Sequence, residues 1–126
     1  MKVSKIMNKA FVIKGNVKVK DAAKIMSDKN VGCLIVMEDD NVSGIITERD
    51  VMKNVDSLGD KVSGVMSKNV ITITSDTSID GAASIMAENK IKRLPIVDNG
   101  ELVGIITATD IIANSSDLNE DFFFDD

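Results

Sequence analysis

Gly44-Ile45-Ile46-Thr47-Glu48-Arg49-Asp50 returns as Gly104-Ile105-Ile106-Thr107-Ala108-Thr109-Asp110, a period of 60 residues counted from Gly44 to Gly104. The match extends well beyond the heptapeptide. Ala22-Ala23 pairs with Ala82-Ala83, Ile25-Met26 with Ile85-Met86 and Leu34 with Leu94, while Val3-Ser4 matches Val62-Ser63 after a one-residue slip. A period this long is one supersecondary unit used twice, and two head-to-tail copies tend to pack about a pseudo-twofold axis. Clefts between the copies are then the natural place for a ligand. With 126 residues in all, two independent cores would be marginal, so the halves are expected to share one.

Each repeat carries the same succession of local signals. In the second, the β-branched run Val70-Ile71-Thr72-Ile73-Thr74 reads as a strand, and Ser75-Asp76-Thr77-Ser78 supplies turn and N-cap residues. Ile79, Ala82, Ala83 and Met86 then fall on one face of a helix that ends at Asn89-Lys90. Leu94-Pro95-Ile96-Val97 and Leu102-Val103-Gly104-Ile105-Ile106 flank Asn99-Gly100, the pattern of a β-hairpin. A short helix follows from Thr107 through Ile111-Ile112.

The first repeat reads alike: a strand near Phe11–Ile13, a helix over Val19–Lys29, strands over Leu34–Met37 and Val42–Ile46, and a helix from Glu48. Its first strand is degenerate, because Lys14-Gly15-Asn16 replaces the clean β-branched run. The pattern therefore predicts a mixed α/β (α+β) chain of two β-α-β-β-α units, with boundaries at 1–58 and 59–114 and a tail over 115–126. The segments Val3–Met7 and Val62–Met66 are read as lead-ins of a single helical turn, each packing on the sheet of a half.

Charge and residue types narrow the function. The net charge of −5 is concentrated at the C-terminus, where Asp117, Glu120, Asp121, Asp125 and Asp126 have no basic neighbour. Without those five, 15 acidic residues face 15 basic ones, so the body is neutral overall. Eight lysines in residues 1–29 make a local excess over Asp21 and Asp28, suited to an anion or to a solvated face. With no His, no Tyr, one cysteine (Cys33) and no Gly-rich phosphate loop, general acid–base or nucleophilic chemistry has little to draw on. Neither a catalytic cofactor nor a metal site is expected. Cys33 cannot form an intramolecular disulfide, and no apolar stretch resembles a leader or a membrane span, so a cytoplasmic protein is expected.

The doubled Gly-Ile-Ile-Thr-x-x-Asp motif, together with Lys92-Arg93-Leu94-Pro95-Ile96-Val97, resembles a pair of CBS domains, the repeat that makes a Bateman module. The resemblance covers about residues 1–114. It implies two units packed sheet against sheet with pseudo-twofold symmetry, two clefts, and assembly into a homodimer. It also implies a module that senses AMP, ADP, ATP or S-adenosylmethionine as a regulatory ligand and signals to an effector protein.

Two readings of the Thr-x-x-Asp pairs stand together. As capping boxes, Thr47 with Asp50 and Thr107 with Asp110 satisfy backbone N–H groups at helix starts whether or not a ligand is bound. As a ligand site, a helix start attracts phosphate, and an ionised Asp accepts from a vicinal ribose diol. Under the resemblance, Asp50 and Asp110 hold ribose with Thr47 and Thr107 beside it. Arg49 (counterpart Thr109) and Lys92-Arg93 (counterpart Gly32-Cys33) are the phosphate candidates. Val70, Ile71 and Thr72 with Pro95 and Ile96 are the candidates for an adenine slot, whereas the degenerate strand leaves Val12 and Ile13 as weaker counterparts. The competing expectation is a ligand-independent assembly module, for which Phe122-Phe123-Phe124 in the acidic tail would be a docking peptide or strap. Nucleic-acid binding through the N-terminal lysines has no stacking platform or recognition motif to support it.

Overall fold

The computed structural model describes residues 1–114, so the acidic tail and its Phe cluster lie outside the described residues. The described residues form two compact units, one of Ala10–Val70 and the other of Met1–Lys9 together with residues 71–114. The packing units are therefore offset from the sequence repeats.

The Ala10–Val70 unit runs through β1 (Val12–Ile13), α1 (Val19–Lys29), β2 (Cys33–Glu38), β3 (Asn41–Thr47) and α2 (Glu48–Lys53). Its sheet has the order β1-β2-β3, with β1 parallel to β2 and β2 antiparallel to β3. The α1 residues Ala22 and Met26 pack with Leu34, Val36, Ile46 and Val62, while Lys20 and Lys24 face solvent, as the helical period predicts. Asn30 ends α1 in the left-handed conformation at φ 54°, its N–H returning to the carbonyls of Met26 and Ser27. The β2–β3 turn places Asp39 and Asp40 at φ 49° and 65°, the positive pair that a two-residue hairpin needs.

The second unit contains α3 (Ile79–Asn89), β4 (Arg93–Asp98), β5 (Glu101–Thr107) and α4 (Ala108–Ala113). Ser78 caps α3, its hydroxyl accepting from Gly81 N at 2.9 Å. The β4–β5 hairpin turns on Asn99 and Gly100 at φ 51° and 82°, as the Asn-Gly pair predicts. The core consists of Val3, Ile73, Ala82, Met86, Leu94, Ile96, Ile106 and Ile111.

The first strands meet the sequence expectation in one repeat only. Val12–Ile13, within the run expected near Phe11–Ile13, forms a ladder with β2, whereas Val70–Thr74 contributes only a single parallel bridge from Ile73 to Ile96. A missing donor accounts for this. Ile35 N donates to Phe11 O at 2.9 Å, but the counterpart of Ile35 is Pro95, which has no N–H to offer Ile71. What remains is Ile73 N to Pro95 O at 3.1 Å and Val97 N to Ile73 O at 2.8 Å. The β-propensity of the run cannot replace the lost rung.

Both lead-ins are short 3-10 turns, Val3–Lys5 and Val62–Gly64, and each packs in the unit built around the other repeat's hairpin. Val3 and Val62 are fully buried there. Asn8 N donates to Ile105 O at 2.8 Å and Ile105 N returns to Asn8 O at 2.9 Å; Ser67 and Ile45 exchange the same pair at 3.0 Å each. The motif glycines permit this approach. A Cβ on Gly104 would stand 2.9 Å from Asn8 O and from Met7 Sδ, and one on Gly44 would stand 2.9 Å from Ser67 O and 2.5 Å from Met66 Sδ.

Gly104→Ala should therefore destabilise the protein by about 1–3 kcal/mol through overpacking against backbone. Gly59→Ala, with nothing within 4 Å of the new methyl, should stay within about 0.5 kcal/mol of the parent. Urea denaturation of both variants checks the contrast, and equal stabilities would contradict it.

Candidate functional site

Each unit has one polar corner where its hairpin runs into a short helix. Both corners are built on a capping box. Thr47 N donates to Asp50 Oδ2 at 2.9 Å and Asp50 N to Thr47 Oγ1 at 3.2 Å. In the second unit Thr107 N donates to Asp110 Oδ2 at 2.8 Å and Asp110 N to Thr107 Oγ1 at 3.2 Å. These bonds satisfy the first N–H groups of α2 and α4 without any ligand.

The corners then diverge. Asp110 Oδ2 also accepts from Thr107 Oγ1 at 2.9 Å and from Asn8 Nδ2 at 2.8 Å, the lead-in side chain having been carried there by its bridge to Ile105. The residue bridged to Ile45 in the other unit is Ser67, whose side chain makes no hydrogen bond among the described residues. Asn8 escaped the sequence reading. The signal was present, since the one-residue slip that aligns Val3-Ser4 with Val62-Ser63 also aligns Asn8 with Ser67.

Basic residues are placed unequally as well. Arg93 is the cross-strand partner of Thr107, and the carbonyl of Lys92 accepts from Ala108 N at 2.9 Å, so both residues sit at the Asp110 corner. Directly opposed residues share a sheet face with Cβ atoms about 5 Å apart. At the other corner Cys33 faces Thr47, and the Gly32 carbonyl accepts from Glu48 N at 3.0 Å. Arg49 is exposed on the first turn of α2, and Thr109 holds the same place on α4. Among the described residues, Arg49, Lys92 and Arg93 enter no ion pair.

The structure thus gathers Thr47, Arg49 and Asp50 at one corner and Lys92, Arg93, Thr107, Thr109 and Asp110 at the other. Val70 ends the first unit half-buried; in the second, Ile71 is half-buried, Thr72 exposed and Pro95 buried. Away from the corners, Ser75 donates through its N–H to Asp98 Oδ1 at 2.9 Å and through its hydroxyl to Asp98 Oδ2 at 2.5 Å. The hydroxyl bond first, and the N–H bond second, hold the Asp98 carboxyl below its ordinary value. Among the described residues no group of acidic or thiol side chains is arranged to hold a metal ion, and no helix is long and apolar enough to cross a membrane.

A carboxylate beside a helix start, with basic side chains at hand, can accept from hydroxyl groups and attract anions. It offers no nucleophile paired with a base. The sequence profile of the CBS domain matches residues 3–57 and again 62–117. A 17.7 kDa protein of Acidianus ambivalens is 41% identical over 115 residues, covering 87% of this chain and 70% of its own length. Inosine-5′-monophosphate dehydrogenase of Thermoplasma acidophilum is 39% identical over 110 residues, which cover 85% of this chain but only 22% of the enzyme. The solved CBS domain pair of protein MJ0100, in complex with 5′-methylthioadenosine and S-adenosyl-L-methionine, is 30% identical with a TM-score of 0.84, over 90% of this chain and 94% of that one.

The capping reading carries its own test in the ligand-free protein. Thr47→Ala should cost about 1 kcal/mol of stability through loss of the cap. Asp110→Ala should cost more than Asp50→Ala, because it removes the bonds from Asn8 Nδ2 and Thr107 Oγ1 as well as the one from the backbone N–H. Chemical denaturation of the variants checks this order, and equal losses at Asp50 and Asp110 would contradict it.

Proposed function

The chain belongs to the CBS domain family and carries two copies of the domain, and on that footing we propose that it is a regulatory module that binds adenine nucleotides or adenosyl compounds and signals their presence to a partner protein. The observation that carries this reading is the doubled Thr-x-x-Asp corner, each with a carboxylate placed at a helix start. The likeness to a CBS pair that holds two adenosyl compounds supports the ligand class.

In this reading Asp50 and Asp110 accept from the ribose hydroxyls, with Thr47 and Thr107 beside them. Arg49, Lys92 and Arg93 attract phosphate or carboxylate, and Thr109 takes the place of Arg49 at the second corner. Val70, Ile71, Thr72 and Pro95 supply apolar contact and backbone groups for adenine. The module reports its ligand and does not transform it. A ligand moves such a protein only through unequal affinity for two of its states, so the signal is a population shift.

A second reading, protein assembly without ligand, draws on one feature of the surface. Met52 on α2 and Ile112 on α4 are counterparts in the repeat, and both are exposed, at 73% and 42%. Next to Met52 lies a hollow of about 420 Å³ with a mixed lining, apolar at Met26, Val31 and Val51 and polar at Ser27, Asn30 and Glu48.

Isothermal titration with AMP, ADP, ATP, 5′-methylthioadenosine and S-adenosylmethionine, combined with light scattering, separates the two. The sensor reading predicts saturable heat with at least one compound, weakened at least tenfold by Asp50→Ala or Asp110→Ala. A stable dimer that takes up none of them would overturn it in favour of assembly alone.

A further inference from the structure

The two corners share one backbone. In each, a lead-in residue bridges the strand before the capping threonine, a motif glycine admits it, and a lysine follows it: Asn8-Lys9 in one unit, Ser67-Lys68 in the other. The side chain at the bridge position differs. Asn8 reaches Asp110 and Ser67 does not reach Asp50.

That difference changes what each carboxylate can still accept. A carboxylate oxygen has two lone pairs, and a vicinal diol is held best when each of its hydroxyls finds its own oxygen. Asp50 Oδ2 accepts from Thr47 N, which leaves it room for a hydroxyl. Asp110 Oδ2 accepts from Thr107 N, Thr107 Oγ1 and Asn8 Nδ2, which is more than its lone pairs serve well. A diol arriving at Asp110 must displace a donor or make do with Oδ1 alone. Thr107 N is fixed by the helix start and Thr107 Oγ1 belongs to the capping threonine. The Asn8 side chain is exposed and free to rotate about its own bonds, so it is the donor that can leave.

We propose that Asn8 is a specificity-determining residue that ranks the two ribose seats: Asp50 is filled first, and Asp110 is occupied only when the Asn8 carboxamide has swung off its carboxylate. The assignment rests on the ribose role of the two aspartates given above. It places the selectivity in the lead-in of the opposite repeat, outside the Thr-x-x-Asp motif.

The test uses adenosine and 5′-methylthioadenosine as probes. Neither bears a phosphate, so the Lys92-Arg93 pair at the Asp110 corner does not mask the effect on the diol. Calorimetric titration of the parent chain should show one tighter site that Asp50→Ala abolishes. Asn8→Ser, which installs the residue found at the counterpart position, should tighten the weaker site at least fivefold. Ser67→Asn, the reciprocal exchange, should weaken the tighter site by a similar factor. Thermal melting confirms that both variants fold, and the pair keeps the outcome readable if one of them does not.

If the tighter site depends on Asp110, or if both exchanges leave both affinities within twofold, the ranking is overturned while the ribose reading stands. If neither probe nor any adenine nucleotide binds, the ribose reading fails and the ranking fails with it.

Discussion

Everything at the two corners depends on a strand of one repeat accepting the lead-in of the other. The bridge is small, two backbone hydrogen bonds between Asn8 and Ile105 and two between Ser67 and Ile45. It exists because Gly104 and Gly44 have no Cβ where the incoming carbonyl must pass. Once the lead-in is seated, Val3 and Val62 enter the hydrophobic cores beside Leu94 and Leu34. The glycine that opens the heptapeptide thus serves packing, the threonine and aspartate that close it serve the helix start, and the same seven residues set the geometry at which a ligand would be met.

The capping boxes keep each corner ordered without a ligand. Thr47 with Asp50 and Thr107 with Asp110 are held by hydrogen bonds within their own turns, so the carboxylates are oriented before anything binds. A site that is already ordered loses less conformational entropy on binding than one that must form around its ligand. Structural and ligand-binding readings of these residues are therefore compatible. The same bonds occupy carboxylate acceptors unequally, since Asn8 donates to Asp110 Oδ2 and the Ser67 side chain donates nothing to Asp50.

Local features were legible in the sequence because their causes are local. The α1 and α3 faces follow from the spacing of Ala22 and Met26 and of Ala82 and Met86, and the Asn99-Gly100 hairpin follows from the positive φ those residues tolerate. Both capping boxes were readable from a threonine and an aspartate three residues apart. The strand near Phe11–Ile13 was legible, but the one expected over Val70–Thr74 was not lost through anything in that run: its ladder fails for want of an N–H on Pro95, a residue of the neighbouring strand. Which unit each lead-in joins is a long-range fact, and no periodicity within Val3–Met7 carries it. The contact between Asn8 and Asp110 inherits that blindness, since the residues lie 102 positions apart.

The claim that the exchanged lead-ins complete the units is open to a direct measurement: native-state hydrogen exchange on the chain with residues 1–9 removed. The amides of Leu94, Ile96 and Ile106 in the β4–β5 hairpin should lose most of their protection, because Val3 leaves the core they share. Those of Leu34, Val36 and Ile46, in the unit whose own lead-in is intact, should keep far more of it. Unchanged protection across β4 and β5 would contradict the claim.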